Sequence, residues 1–344
     1  MAKKVYVGMS GGVDSSVTAA LLKDRGYDVT GVYMKNWSQD LPGFVCPWRE
    51  DYQDAKRVAV QLGIPFKMYD FETEYRHKVV DYMLCEYQAG HTPNPDIMCN
   101  QEVKFKLFLE TALEDGADLI ATGHYARIKK DQLFAGLDKN KDQSYFLYRV
   151  TEDALRKSIM PVGELKKPKV RALAKKLGLA TADKKDSQGI CFVGKVGIKE
   201  FLLNKLGSQP AGPIVDQDGR EIGRHDGAIF YTIGQRHGLD VGGGLPYYVG
   251  RKDMKANIVY VTTNLDDKDL WTKEVTLEDV HWINEKPNEE KKYQARLRYR
   301  GSLIPCELKD KKLVLDEEQR GIAAGQSAVI YDGDRVLGGG IMTG

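Results

Sequence analysis

The sequence predicts an α/β protein: a doubly wound parallel sheet, then a small central β-rich domain, then a C-terminal antiparallel β-barrel. Three observations carry this. Through the first 125 residues, apolar strand patterns alternate with helical periodicity, the mark of parallel strands joined by crossover helices. After Gly207 the helical period gives way to short strand patterns and an Asp-Gly turn. The last 70 residues hold three strand patterns separated by tight turns, which suits a small barrel. The expected divisions are 1–206, 207–274 and 275–344.

Lys4–Met9 reads as a buried strand that leads through a glycine-rich turn into a helix over Ser15–Asp24, ended by Gly26. Val29–Met34 is the second strand and Pro65–Phe71 the third, with a helix over Tyr52–Leu62 stopped by Gly63. Glu74–Tyr87 and Glu102–Glu114 are helical; in the latter Phe105, Phe108, Leu109 and Ala112 recur at helical spacing. Leu119–Gly123 is the fourth strand. Ligands of such a sheet bind outside the carboxyl ends of its strands. A hairpin pattern follows (Ala126–Ile128, Leu133–Leu137), then helical segments at Glu152–Lys157 and Lys169–Leu177. Pro213–Gly219 and Ile258–Thr262 supply central strands. Gln294–Tyr299, Leu313–Asp316 and Ser327–Tyr331 supply barrel strands, with turns at Lys309–Lys312 and Asp332–Asp334.

Composition narrows the class. Of 344 residues 42% are hydrophobic and 29% charged, which excludes a disordered polyampholyte, a collagen-like chain and a disulfide-stapled miniprotein. No apolar run approaches the roughly 18 residues of a membrane span, and the start enters a strand without a signal-peptide pattern. Five scattered cysteines (Cys46, Cys85, Cys99, Cys191, Cys306) fit a reducing cytoplasm, so the expected location is cytoplasmic with no membrane partner. A net charge of +2 argues on its face against a polyanionic partner. The average hides uneven placement, however: Glu164–Asp186 carries eight basic residues against three acidic ones, and phosphate affinity follows where cations cluster.

The strongest motif is Gly8-Met9-Ser10-Gly11-Gly12-Val13-Asp14-Ser15-Ser16, between the first strand and its helix. Its glycines let successive N–H groups face an anion, and the helix adds its positive end. Hydroxyls of Ser10, Ser15 and Ser16 add donors, and Asp14 could hold Mg2+ beside the phosphates. Gly189–Lys195 mimics a P-loop, but Val196 stands where a hydroxyl should ligate magnesium, so it is rejected as a nucleotide site. The Ser10–Ser16 segment resembles the pyrophosphate loop of the ATP pyrophosphatase superfamily, which implies adenylation of an oxygen.

Thr92-Pro93-Asn94-Pro95-Asp96-Ile97-Met98-Cys99-Asn100 follows. Two prolines fix φ on the approach, and a thiol near a helix start is expected to have a lowered pKa, further lowered by Lys104. Cys99 is therefore a candidate reactive thiol. Cys191, after a polar, lysine-rich loop in Asp186–Phe192, is the second. Cys85 and Cys306 sit in helix and strand patterns and read as packing, as does Cys46 by default.

Seven ordered segments now coincide: the pyrophosphate loop, Asn94–Phe105, Ala121-Thr122-Gly123-His124-Tyr125, Lys141–Leu147, Asp186–Phe192, Tyr231–Arg236 and Gly325–Val329. Together they make the whole chain similar to the bacterial tRNA-specific 2-thiouridylases. Departures are Asp240, where relatives usually place glycine, and a short tail ending at Gly344. The resemblance implies an adenine nucleotide alpha hydrolase-like sheet and ATP held at Gly8, Met9, Ser10, Gly11, Gly12, Val13, Asp14 and Ser15. Met34 and Gly123 would line the adenine site. It implies that Cys191 carries a persulfide loaded by a sulfur-donor protein. Cys99 would attack it, leaving a Cys99–Cys191 disulfide for reduction. The sequence does not fix which thiol takes which role. The implied partner is tRNA, met at its wobble uridine by Asn94, Pro95 and Asp96. Further contacts would come from His124, Lys141, Asp142, Gln143, Arg298, Tyr299 and Gln326. Alternatives are a ligase that adenylates a small molecule, an RNA-binding protein with inert thiols, and thiolation through an iron–sulfur cluster on Cys99, Cys191 and Asp96.

Overall fold

The computed structural model describes residues 2–43, 45–186, 193, 197–239, 241–242 and 246–343. Cys191 and the Gly189–Lys195 segment with Val196, apart from Val193, lie outside the described residues, as does Asp240.

The first unit runs β1 (Lys4–Gly8), α1 (Val13–Asp24), β2 (Asp28–Lys35), α2 (Trp48–Leu62) and β3 (Phe66–Asp70). Next come α3 (Glu72–Tyr75), α4 (Asp81–Gln88), α5 (Pro95–Met98), α6 (Phe108–Glu114) and β4 (Leu119–Ala121). The hairpin β5 (Ala126–Lys129) and β6 (Gln132–Ala135), α7 (Glu152–Arg156), β7 (Ser158–Ile159), α8 (Lys167–Lys176) and α9 (Ile198–Leu206) complete it. Five parallel strands lie in the order β3-β2-β1-β4-β7. Alternation of side chains along the strands builds two cores. Val5, Val7, Val29 and Tyr33 pack with α1, α2 and α8, whereas Tyr6, Val32 and Ile120 pack with Tyr75, Met83, Val103 and Phe108 on the opposite face. α2 shows why its sequence is helical: Ala55, Val58 and Ala59 form one buried stripe, and Gly63, at φ +58, ends it in the left-handed conformation.

The two longer helices expected over 74–87 and 102–114 are each interrupted. Arg76–Val80 and Cys99–Leu107 are π-helical, with wider turns than the flanking α segments.

The central sheet takes β8 (Gly212–Val215), β9 (Glu221–His225), β10 (Tyr248–Asp253) and β11 (Ile258–Thr262) in the order β10-β11-β8-β9. The last unit comprises β12 (Trp271–Trp282), β13 (Lys292–Arg296), β14 (Ile304–Lys309), β15 (Lys312–Arg320), β16 (Ser327–Asp332) and β17 (Arg335–Met342). These six antiparallel strands close into a barrel through the β12–β17 pairing. The β5–β6 hairpin extends the barrel sheet, with Arg335 opposite Phe134 and Val336 opposite Leu133. Its neighbour, the 144–148 turn, seals the seam: Tyr145 OH donates to Ser327 O at 2.8 Å, and Tyr148 OH lies 3.1 Å from Ser327 Oγ.

Candidate active site

At the carboxyl edge of the first sheet, the chain leaves β1 towards β2 on one side and later returns to β4 on the other. That reversal of strand order makes a crevice. Met9–Gly12 turns there between β1 and α1. Gly11 has φ +73, and a Cβ would lie 2.3 Å from Asp51 O, so only glycine fits. Gly12 caps α1 without a side-chain bond, which leaves the first N–H groups of the helix available to an anion. The hydroxyls brace the turn. Ser10 N donates to Ser15 Oγ (3.2 Å), and Ser15 Oγ and Ser16 Oγ donate to Gly12 O (3.1 and 2.8 Å). Met34 Cε stands 2.9 Å from where a Gly8 Cβ would be, and Gly123 closes the other wall against Ser15 N and Asp14 C.

Asp14 is fully engaged. Lys167 Nζ, on a side chain only 9% exposed, donates to both carboxylate oxygens at 2.7 Å, and Tyr125 OH donates to Oδ1 at 2.7 Å. Lys167 also meets Asp186 Oδ1 at 2.8 Å, and Asp186 pairs with Lys141 (2.7 Å) and Arg171 (2.6 Å). An ammonium thus occupies the place a metal would take, and Asp14 does not fit as a magnesium ligand in this arrangement. No group of three metal-ligating side chains occurs among the described residues.

Beyond β4 lies the thiol pocket. Pro95 occupies the first turn of α5, and Cys99 closes that helix and opens the π-helical run. The expectation of an acidified thiol is overturned. Burial at 3% exposure pushes the Cys99 thiol up, and Lys104 only partly offsets it. The physical reason is position: the helix starts four residues earlier, so its unpaired N–H groups do not reach this sulfur. Burial also raises the Asp96 carboxyl against Lys104. His124 is held well below 6.5 by burial and then by Lys104, so its ring is neutral at pH 7; Nδ1 lies 2.8 Å from Thr122 Oγ1. Lys104 acts on all three groups. The Gly123–His124 pair joins the two halves, since Gly123 abuts the loop and the His124 ring sits 5.6 Å from Phe105 of the π-helical run.

Three family models match in succession: the tRNA methyl transferase HUP domain over residues 3–195, the tRNA methyl transferase PRC-barrel domain over 199–263, and the aminomethyltransferase beta-barrel domain over 272–342. The tRNA-specific 2-thiouridylase MnmA of Streptococcus sanguinis is 48% identical over 98% of this chain and 95% of its own. The chain belongs to the tRNA-specific 2-thiouridylase family. A second relative, the tRNA-specific 2-thiouridylase MnmA of Bacillus subtilis, is 47% identical over 98% of this chain and 94% of its own.

In this 2-thiouridylase-family chain the expected nucleotide residues assemble, but not all in the same way. Met9 and Val13 are core side chains, 1% and 3% exposed, so they offer only backbone. Asn94, Pro95, Asp96 and Cys99 share one turn, and Gln326 joins them by donating from Nε2 to Thr92 O at 2.7 Å. Tyr299 packs tilted against Phe146, their ring centroids 4.3 Å apart, and Phe146 O accepts from Asn100 Nδ2 at 3.1 Å. Arg298 is exposed in a turn, because β13 ends at Arg296 rather than at 299. Asp142 is buried in structural bonds to Gly136 N, Ser144 N and Arg296, and Gln143 Oε1 accepts from Tyr125 N. Lys141 is spent on Asp186. Lys167 and Tyr125 were missed as members of the loop network. Lys167 carries no local signal, lying in a basic run 153 residues from its partner Asp14.

Asp186 sets an acid-side prediction. Burial opposes its charge, but hydrogen bonds from Lys141 and Lys167 prevail and hold it at about 2, below its ordinary 3.8. A depressed carboxyl contributes stability that is present above the unfolded value and is lost as pH falls through the folded one. The melting-temperature gap between wild type and Asp186→Asn should therefore be full above about pH 4 and close towards pH 2, tracing up to about 2 kcal/mol. A gap independent of pH over that window would contradict it.

Proposed function

We propose that this protein uses ATP to adenylate the C2 oxygen of the wobble uridine in tRNA and then replaces that oxygen by sulfur. The products are 2-thiouridine, AMP and pyrophosphate. The likeness along nearly the whole chain to tRNA-specific 2-thiouridylases carries the reading. A small-molecule ligase is not favoured, since that likeness includes the central sheet and the barrel. Methyl transfer is not favoured, because it has no need of a pyrophosphate cradle.

In this reading the backbone of Gly8–Ser15 and the hydroxyls of Ser10 and Ser15 hold the leaving pyrophosphate, with Met34 and Gly123 at the adenine. Magnesium, as a counterion of the phosphates, would arrive with ATP, and no step is assigned to it. Asn94, Pro95 and Asp96 receive the uridine, which must swing out of its loop to reach them. Neutral His124, Arg298, Tyr299 and Gln326 are the remaining contacts to tRNA. Lys141, Asp142 and Gln143 reach tRNA only if their internal bonds exchange.

Sulfur comes from a persulfide on Cys191, loaded by a donor protein. Cys99 thiolate attacks the inner sulfur, the Cys99–Cys191 disulfide forms, and hydrosulfide leaves. Hydrosulfide adds to C2, AMP departs with the oxygen, and two equivalents of an external thiol reduce the disulfide, becoming a disulfide themselves. In this scheme the chain divides near residue 206 and near 274, with β12 already running from Trp271. No helix among the described residues is long and apolar enough to cross a membrane, and a cytoplasmic site of action goes with tRNA as substrate.

The test is direct. Unmodified tRNA, ATP and a persulfide donor should yield 2-thiouridine by nucleoside mass spectrometry, with one AMP and one pyrophosphate per sulfur. ATP cleavage that requires a small metabolite and ignores tRNA would sink the proposal.

A further inference from the structure

The short segment between α4 and the Asn94–Cys99 turn is held from two other units at once. Gly90, at φ +87, has Met254 of the central sheet packed where a Cβ would be, 2.5 Å from its Cγ. From the same sheet Lys252 Nζ donates to Gly90 O and to Tyr231 O, both at 2.7 Å. Thr232 Oγ1 lies 3.1 Å from Thr92 Oγ1. From the barrel, Ala324 O accepts from Thr92 N at 2.8 Å and Gln326 Nε2 donates to Thr92 O. Gly325 approaches so closely that a Cβ would stand 3.0 Å from Thr92 N.

We propose that Lys252 is a positioning residue for sulfur transfer: from the central sheet it registers Gly90–Thr92, and so the Asn94–Cys99 turn, against the barrel. The inference rests on the reading of function above. Pro93 and Pro95 fix φ just beyond Thr92, so a shift at Gly90 passes along a stiff segment to Asp96 and Cys99 instead of being absorbed. The choice of side chain supports positioning over mere adhesion. Lys252 is half-buried, burial pulls its ammonium down to about 8, and its two acceptors are carbonyls rather than carboxylates. A neutral apolar side chain would hold two units together at lower cost. What the amine supplies is direction, fixing two carbonyl oxygens at defined positions.

Lys252→Met keeps the length and apolar stem and removes both bonds. It should lower kcat for tRNA thiolation by about tenfold to a hundredfold while KM for tRNA stays within about twofold, the pattern of a misplaced reacting group. Lys252→Arg, which can again donate to both carbonyls, should recover most of the loss. Ile214→Ala, in the buried core of the same sheet (0% exposed) but on β8, which does not pair with the strand of Lys252, is the control for loosening without touching Gly90. Amide hydrogen exchange over residues 92–99 should speed up in Lys252→Met and not in Ile214→Ala. Wild-type kcat in Lys252→Met, or equal losses and equal exchange in both variants, would overturn the inference. Faster exchange in Lys252→Met from a wild-type enzyme that makes no 2-thiouridine would sustain the clamp and refute the activity.

Discussion

Cys99→Ser should lower tRNA thiolation by about a thousandfold or more, because a hydroxyl cannot form the disulfide that expels hydrosulfide. The substitution is nearly isosteric in a site 3% exposed. Tyr75, which hydrogen-bonds the thiol, can equally accept from or donate to a serine hydroxyl, so the fold should lose no more than about 1–2 kcal/mol. Release of pyrophosphate in the presence of tRNA should persist, since the pyrophosphate loop is built from other residues. The two readouts separate chemistry from folding: nucleoside mass spectrometry reports 2-thiouridine, and the melting temperature reports the core. Cys99→Ala removes the polar group altogether and should give the same loss of sulfur transfer. If either variant keeps a tenth of wild-type thiolation, Cys99 is not the attacking thiol. Burial pushes the Cys99 thiol up in the free protein, which disfavours its thiolate before substrate enters.

That correction shows what was legible in the sequence and what was not. The first four strands of the parallel sheet, the loop and the two-proline approach to Cys99 are local patterns, and the structure has them where periodicity and glycine placement put them. The fifth strand, Ser158–Ile159, has only two residues, too few to register as a period. β17 contains Gly338-Gly339-Gly340, and no strand pattern is expected there from the sequence. In the barrel those glycines are required, because Cβ atoms would stand 2.1 Å from His281 O at 338 and 2.2 Å from Ala328 O at 339. The β5–β6 hairpin was readable, but its pairing with β17, 200 residues away, was not. Charge misled in the same manner. Of the eight basic residues in Glu164–Asp186, Lys167, Arg171, Lys175 and Lys184 are paired with Asp14, Asp186, Asp183, and Asp51 and Asp54. A basic run is a phosphate surface only to the extent that the fold leaves its cations unmatched, and matching partners come from distant strands and helices.

Gly123→Ala tests the crevice itself and should cost both stability and nucleotide binding. Its Cβ would come within 2.8 Å of Ser15 N and 2.9 Å of Asp14 C. Both are backbone atoms in the first turn of α1, with no flexible end to swing aside, so α1 or β4 must move. Overpacking of this kind costs about 1–3 kcal/mol. The functional loss should be larger. In the proposed scheme the N–H groups that face the phosphates belong to the same first turn, and displacing such donors by about an ångström costs on the order of a hundredfold. Gly12→Ala makes the contrast in stability. Gly12 has φ −95 and would meet only Ser10 Oγ, at 3.4 Å, so its melting temperature should stay near that of wild type. For Gly123→Ala the KM for ATP should rise at least about tenfold and kcat should fall, because pyrophosphate is both bound and expelled against these donors. A Gly123→Ala enzyme that binds ATP as wild type does would mean that the phosphates lie elsewhere than between β1 and β4. The switch-point reading of the sheet would then fall with it.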